Sequence, residues 1–400
     1  CYAYQFVYIA VPFVKKDKPH KAVENHRFAV LISARNESAV IENLLESIKS
    51  QTYPQDLIDV FLIADNCTDN TAEIGRRCGV HVYERFDTVK VGKGYALNYA
   101  LNNIKEEYGY DHFDAYFVFD ADNVLDPNYI EEMNKTFSDG YNIITSYRNS
   151  KNYGDSWISA GYALWFLRES KYLNYSRMLL DTSCAISGTG FMFSKEIAQR
   201  MEGWKYYLLT EDIEFTVDNI TRGQKIGFCK NAVLYDEQPT GLKQSIRQRM
   251  RWAKGYIQVF TNYGLRLIKG TVKGDSFSCY DMSMTIMPAI ISSIASVAVN
   301  GTALVAGLIA DVSVEPIITA FIGAVIGMYA TMYAIGLITT ITEWNNIYTT
   351  TSRKILYTFT FPLFMFTYVP ITLVAIFKKV EWKPIVHSKS KSLADIKNAN

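Results

Sequence analysis

The sequence predicts a Rossmann-like α/β domain joined to an α-helical transmembrane region with interfacial helices. Three observations predict it. Between residues 28 and 120, short apolar runs rich in β-branched and aromatic side chains alternate with helical stripes, and the runs end in polar residues. Residues 283–310 and 316–342 are apolar stretches almost without charge, each longer than the ~20 residues that cross a bilayer. Residues 242–269 interleave Arg247, Arg249, Arg251, Lys254 and Arg266 with Ile246, Trp252, Ile257, Val259 and Phe260, as in a helix lying in a membrane interface.

Composition sets the outer limits. The 400 residues allow a globular domain and more. With 41 basic against 40 acidic residues, the net charge of +1 gives no sign of a nucleic-acid binder. The six cysteines (Cys1, Cys67, Cys78, Cys184, Cys229, Cys279) are scattered without metal-ligand spacing, which suits a reducing compartment rather than a disulfide scaffold.

The chain opens on Cys, and residues 1–14 are apolar but too short to span, so they read as the end of an N-terminal transmembrane helix. Lys15, Lys16, Lys18 and Lys21 follow. Positive charge beside a membrane segment marks the cytoplasmic side, so residues 15–240 are expected to form a cytoplasmic domain of a multi-pass protein of the cell membrane. Residues 241–275 then form the interfacial region, 276–378 the transmembrane part and 379–400 a cytoplasmic tail. A third apolar run, 355–377, contains Pro362 and Pro370. A full crossing would put Lys378, Lys379 and Lys383 outside, so a broken, re-entrant or interfacial element is expected there.

In chain order, residues 28–33, 60–64, 80–83 and 116–120 read as strands, and 40–48, 71–78 and 95–104 as helices. Polar residues cluster after three of the strands: Ala34-Arg35-Asn36-Glu37, Asp65, and Asp120-Ala121-Asp122. In an open α/β sheet the carboxyl ends of the strands form the ligand crevice. Asp-x-Asp there can bind Mg²⁺ or Mn²⁺, which accept substrate phosphates in the same shell; alone, such a pair is more often a solvated turn or a helix cap. Lys93, between Gly92 and Gly94, can reach a diphosphate or sit in a solvated turn. Ser187-Gly188-Thr189-Gly190 enters an aromatic run, and its glycines permit close approach of a ligand. Thr210-Glu211-Asp212 reads as a helix start, with Thr210 capping and the acids facing the dipole, a place that can also hold a base. In Gln248-Arg249-Met250-Arg251-Trp252, the Arg and Trp are interfacial anchors, or else a diphosphate ligand and a flat surface for a sugar ring.

Taken in order, Asp65, Asp120-Ala121-Asp122, Thr210-Glu211-Asp212 and Gln248 to Trp252 resemble the D, DxD, (T/E)D, QxxRW pattern of the membrane-embedded processive family-2 glycosyltransferases. Those include cellulose, chitin, hyaluronan and poly-N-acetylglucosamine synthases. The resemblance covers residues 28–270 by motif and 283–378 by membrane layout. It implies a GT-A-like domain and a membrane-bound inverting transferase that uses a UDP-sugar, with Mg²⁺ or Mn²⁺, to elongate a β-linked polysaccharide processively across the membrane. By this resemblance Arg35, Glu37 and Asp65 hold the nucleotide, Lys93 approaches the diphosphate, and Asp120 and Asp122 bind the metal. Asp212 is the general base. Gly188, Thr189, Glu211, Gln248, Arg251 and Trp252 shape the acceptor and diphosphate side. Trp382, Lys383 and His387 match a loop that closes over the nucleotide in relatives, against the simpler reading of a disordered basic tail. The implied partners are a UDP-sugar donor, a polysaccharide or primer acceptor, the lipid bilayer and accessory export subunits, with no nucleic acid. Two alternatives stand beside this reading: a non-processive transferase acting on a lipid or short oligosaccharide, and a catalytically inactive nucleotide-sugar-binding membrane scaffold.

Overall fold

A strand in which nearly every residue is apolar is stable only when both its faces are covered. A computed structural model describes residues 4–273, 277–310, 315–381, 387 and 389–399, with the side chains of 288–293 excepted. In it, helix α1 (Tyr4–Val14) precedes four parallel strands: β1 (Phe28–Ala34), β2 (Ile58–Asp65), β3 (His81–Arg85) and β4 (Ala115–Asp120). They are linked through α2 (Ile41–Lys49), α3 (Thr71–Arg77) and α4 (Lys93–Tyr108). Register decides what this sheet can do. Ala34 of β1 lies opposite Ala64 of β2, and Ser33 opposite Asp120 of β4. The polar residues that follow these strands therefore emerge along one edge.

The sheet continues where the sequence pattern is silent. Strands β5 (Val124–Leu125), β6 (Ile143–Ser150), β7 (Phe191–Ser194) and β8 (Ile226–Asp236) complete the order β3-β2-β1-β4-β7-β6-β8-β5. β7 runs antiparallel to β4 and β6, so the sheet is mixed. The aromatic run after the Ser187–Gly190 turn is this strand.

Helices complete the two faces. α5 (Tyr129–Ser138) packs on β8. α6 (Trp157–Arg168) passes into a π-helical segment, Glu169–Asn174, and then into α7 (Tyr175–Leu179). α8 (Lys195–Met201), α9 (Glu211–Thr221) and the 31-residue α10 (Leu242–Val272) follow, then α11 (Phe277–Ile286). Beyond them lie α12 (Pro288–Ile309), α13 (Glu315–Thr342), α14 (Thr351–Phe366), α15 (Tyr368–Phe377) and the short α16 (Leu393–Lys397).

Among the described residues, two helical stretches are long and apolar enough to cross a membrane, Glu315–Thr342 and Thr351–Phe377. Pro362 sits inside α14, and the second stretch is interrupted further on. The interruption falls at Thr367, just ahead of Pro370, whose missing N–H leaves the carbonyl four residues back without its helical donor. The tail also departs from the expected disordered segment, since its described part includes the helix α16 with Ile396 fully buried.

An ion pair ties the N-terminal helix to this assembly. Arg177 Nε of α7 donates to Asp281 Oδ2 of α11 at 2.6 Å, and Arg177 Nη2 to Oδ1 at 3.1 Å. Both side chains are buried, and the Tyr4 and Tyr8 hydroxyls of α1 donate to the same carboxylate at 2.7 and 2.9 Å. Asp281→Ala leaves a guanidinium buried without its counter-ion, which should cost about 3–5 kcal/mol. Thermal unfolding in detergent checks this, and an unchanged midpoint would contradict the clamp.

Candidate active site

Two asparagines turn the first acids inward. Asn36 and Asn66 follow β1 and β2 with φ of 57° and 55°, a left-handed conformation that asparagine tolerates better than most residues. Asn36 Oδ1 accepts from the Thr68 backbone N–H at 2.7 Å and so ties the two turns together. Asp65 is buried and accepts from Arg85 Nη1 at 2.5 Å. Burial pushes its carboxyl up, with Arg85 acting against the rise.

Gly92 starts α4 at φ +133°, and a Cβ on Gly94 would lie 2.2 Å from the Tyr206 carbonyl oxygen. Only glycines allow the turn that aims Lys93 into the cleft. Its ammonium donates to Asp120 Oδ1 at 2.5 Å and to the Gly188 carbonyl at 2.8 Å. Thr189 is buried and faces away: its hydroxyl donates to Asn123 Oδ1 at 2.5 Å and accepts from the Asp120 N–H at 2.9 Å. Gly188 thus reaches the cleft, while Thr189 frames it.

Asp122 is buried, and its Oδ2 accepts from the Glu237 N–H at 2.8 Å. Burial alone would raise its carboxyl, but His387, Lys151 and Arg148 outweigh this and hold it below the usual range. Arg148 of β6 donates through Nε to Asp236 Oδ2 at 2.7 Å and through Nη1 to the Ser187 carbonyl at 2.8 Å. Burial pushes Asp236 up to about 6 despite Arg148, with Asp122 adding to the rise.

On the opposite wall, Thr210 occupies the N-cap position of α9 but makes no capping hydrogen bond, contrary to the sequence expectation. Its hydroxyl instead abuts α10, where a Cβ on Gly255 would lie 2.4 Å from Thr210 Oγ1. This close approach brings Glu211 and Asp212 beside Gln248 and Arg251, and Arg251 Nη1 donates to the Leu209 carbonyl at 3.0 Å. Burial raises Asp212, with Lys93 and Arg251 opposing. Burial and the neighbouring Asp212 push Glu211 up to about 7. Trp252 stands edge-on to Tyr162, with ring centroids 5.7 Å apart.

These walls enclose a cleft of about 180 Å³. It brings together Arg35, Glu37, Asp65, Lys93, Asp120 and Asp122 on the sheet side, and Gly188, Glu211, Asp212, Gln248, Arg251 and Trp252 opposite. His387 joins them: its Nδ1 lies 3.0 Å from both Glu37 carboxylate oxygens. Burial would lower this imidazole, but Asp122 and Glu37 overcome it and push it up to about 10, so it is a cation here. Trp382 and Lys383 lie outside the described residues. The sequence reading missed Arg148, Asp236 and Glu237, which also line the cleft. Asp236-Glu237 had the same signature as Asp65 and Asp120, acids at a strand end, but β8 itself was not recognised.

Among the described residues, no three His, Cys, Asp or Glu side chains converge as a closed metal site. The donors suit a hard cation that takes few protein oxygens and completes its shell with phosphate and water. The Asp120 side chain is partly exposed, and Asp236 Oδ1 is buried without a hydrogen-bond partner.

The mixed sheet, with its acids at the strand ends, is that of a GT-A-like glycosyltransferase. Residues 26–255 match the model of the glycosyltransferase-like family 2, and the chain belongs to that family. It is 27% identical over 267 residues to poly-β-1,6-N-acetyl-D-glucosamine synthase of Staphylococcus epidermidis, covering 65% of this chain and 60% of the relative. It is 24% identical over 237 residues to β-monoglucosyldiacylglycerol synthase of a Synechocystis strain, covering 58% and 48%. The chain therefore spans about half to three-fifths of these relatives. Its fold is similar to that of the mannosyltransferase PcManGT from Pyrobaculum calidifontis, solved with GDP-Man and Mn²⁺, with a TM-score of 0.58, 17% identity and coverage of 93% of this chain and 95% of that one.

Gly→Ala inside a helix ordinarily stabilises by about 1 kcal/mol. Gly255→Ala should do the reverse, because the added methyl displaces Thr210 and with it the turn bearing Glu211 and Asp212. The expected result is a lower melting midpoint and a loss of at least about tenfold in sugar transfer, the cost of a small misplacement of reacting groups.

Proposed function

We propose that the chain is a membrane-embedded inverting glycosyltransferase that moves a sugar from a UDP-sugar to a growing β-linked polysaccharide. The observation that carries this reading is the gathering of four motifs, distant in sequence, around one cleft. Arg35, Glu37 and Asp65 bind the uridine end, and Lys93 meets the diphosphate. Asp120 and Asp122 would hold Mg²⁺ or Mn²⁺, which, when bound, offsets the charge of the departing diphosphate. Asp212 takes the proton of the acceptor hydroxyl as its oxygen bonds to the anomeric carbon and the bond to the diphosphate breaks. Arg251 adds positive charge on the leaving side. Trp252 offers a face to the acceptor ring. The two apolar helical stretches support a membrane setting.

A second reading has a lipid acceptor and a single transfer. It is favoured by the similarity to a glucosyldiacylglycerol synthase and by the apolar helices beside the cleft.

Purified protein in detergent, given Mg²⁺ or Mn²⁺ and a panel of UDP-sugars, should release UDP from one donor, and Asp212→Asn should abolish release. Binding of UDP without release from any donor would favour an inactive scaffold. Products resolved by length separate a polymer from a single sugar on lipid.

A pH profile tests the base. Asp212 acts only when deprotonated and its carboxyl is raised, so activity should climb with pH through that raised range. Arg251→Gln removes a charge that favours the carboxylate, so the acidic limb should move to higher pH. An unmoved limb would argue against Asp212 as the base.

A further inference from the structure

Besides Arg251, helix α10 carries two cations that the proposed transfer leaves unused, Arg249 and Lys254, and both reach the same neighbour, α15. Arg249 is fully buried, and its Nη1 donates to the Phe364 carbonyl at 3.2 Å and to Thr367 Oγ1 at 2.5 Å. The guanidinium lies 4.3 and 4.8 Å from the ring centroids of Phe364 and Tyr368. These rings stand on either side of the interruption between α14 and α15. Among the described residues no carboxylate pairs with Arg249, and its Nε and Nη2 have no hydrogen-bond partner. Ring faces recover part of the cost of desolvating a guanidinium, but one buried on these terms remains expensive. Stability alone does not account for it.

Lys254 holds the other end of the same helix. Its Nζ donates to the Ile376 carbonyl at 3.1 Å, in the last turn, where a helix leaves its carbonyls without backbone donors. The ten-residue α15 is thus tied to α10 at both ends. Its own continuity with α14 is poorer. The Thr367 N–H reaches the Leu363 carbonyl at 3.4 Å and the Ile371 N–H reaches the Thr367 carbonyl at 3.5 Å, against 3.0 Å for Lys378 N–H to Val374 at the far end. Pro370 has no N–H to add. On its other side α10 meets α9, through Arg251 at the Leu209 carbonyl and Gly255 against Thr210. Arg249 and Arg251 lie two positions apart, about 200° around the helix, so one turns to α15 while the other turns to α9 and the cleft.

We propose that Arg249 and Lys254 are positioning residues: by fixing α10 to α15 they set where Arg251 stands in the cleft. The inference rests on the transferase reading above, in which Arg251 stabilises the departing diphosphate.

The experiment measures steady-state UDP release by the full chain in detergent, normalised to UDP-binding sites. Arg249→Met, Arg249→Lys and Lys254→Met are each assayed alone and combined with Arg251→Gln. Arg249→Met should lower kcat by about tenfold with the KM for the UDP-sugar within about twofold, as when a group that acts in the transition state is misplaced. Lys254→Met, which removes one hydrogen bond at a half-buried site, should lower kcat by about threefold. Arg249→Lys keeps a donor for Thr367 and should recover most of the loss. With Arg251 already replaced, the same substitutions should cost less than about twofold more, because the group they position is gone. A purely structural role loses the same factor in both backgrounds. That result, or a native kcat in both Arg249→Met and Lys254→Met, overturns the positioning; if Arg249→Met does not fold, the Lys254→Met pair decides alone. A native protein that releases no UDP from any donor overturns the transferase reading and the positioning with it.

Discussion

The rest of the structure depends on balancing negative charge in a confined space. Glu37, Asp65, Asp120, Asp122, Asp212 and Asp236 border one cleft, and carboxylates so placed raise one another and resist burial. Each cation that offsets them comes from a different part of the chain: Arg85 at the end of β3, Lys93 at the start of α4, Arg148 in β6, Arg251 in α10 and His387 in the tail. Folding the tail onto the domain is thus part of building the site. The basic residues after His387 extend the same logic, with Lys389 beside Asp155 at 3.4 Å and Lys397 beside Asp126 at 2.7 Å.

Charge sets what must meet, and close packing sets where. At Gly94 and Gly255 the backbone comes so near a neighbour that even a methyl group has no room. Gly161 does the same between α6 and Phe364 of α14, where a Cβ would lie 2.3 Å away. The apolar α14 is thereby packed on α6, and α15 packs on α10, the helix that lines the cleft with Gln248, Arg251 and Trp252. Arg249 carries the connection further, since its buried guanidinium donates to Thr367 Oγ1 at 2.5 Å, at the interruption between α14 and α15. The helix that bears Arg251 and Trp252 is therefore bonded to the point where the apolar stretch changes character.

Much of the first half was legible in the sequence because its signals are local. Uniformly apolar runs define β1, β2 and β4, and each ends in an acid or an arginine, so the strand ends, and with them Arg35, Asp65, Asp120 and Asp122, could be read directly. β6 and β8 were not read, because their alternation is broken by polar residues such as Asn149 and Lys230 and by the register shift between Ser146 and Tyr147. Arg148, Asp236 and Glu237 went unrecognised with them. Thr210 misled in the opposite way: its position before two acids reads as a cap, and tertiary contact with Gly255 turns it elsewhere.

The sequence by itself determined the kinds of residue available, the order of the motifs and the presence of long apolar stretches, since composition and periodicity are properties of neighbouring residues. Only the tertiary structure decided that β7 runs antiparallel, that Lys93 bonds both Asp120 and the Gly188 carbonyl, and that His387 reaches Glu37 across 350 positions of chain. Such pairings depend on strand register, on close approaches at glycine and on the mutual repulsion of buried acids. None of these is written in any one stretch of the sequence.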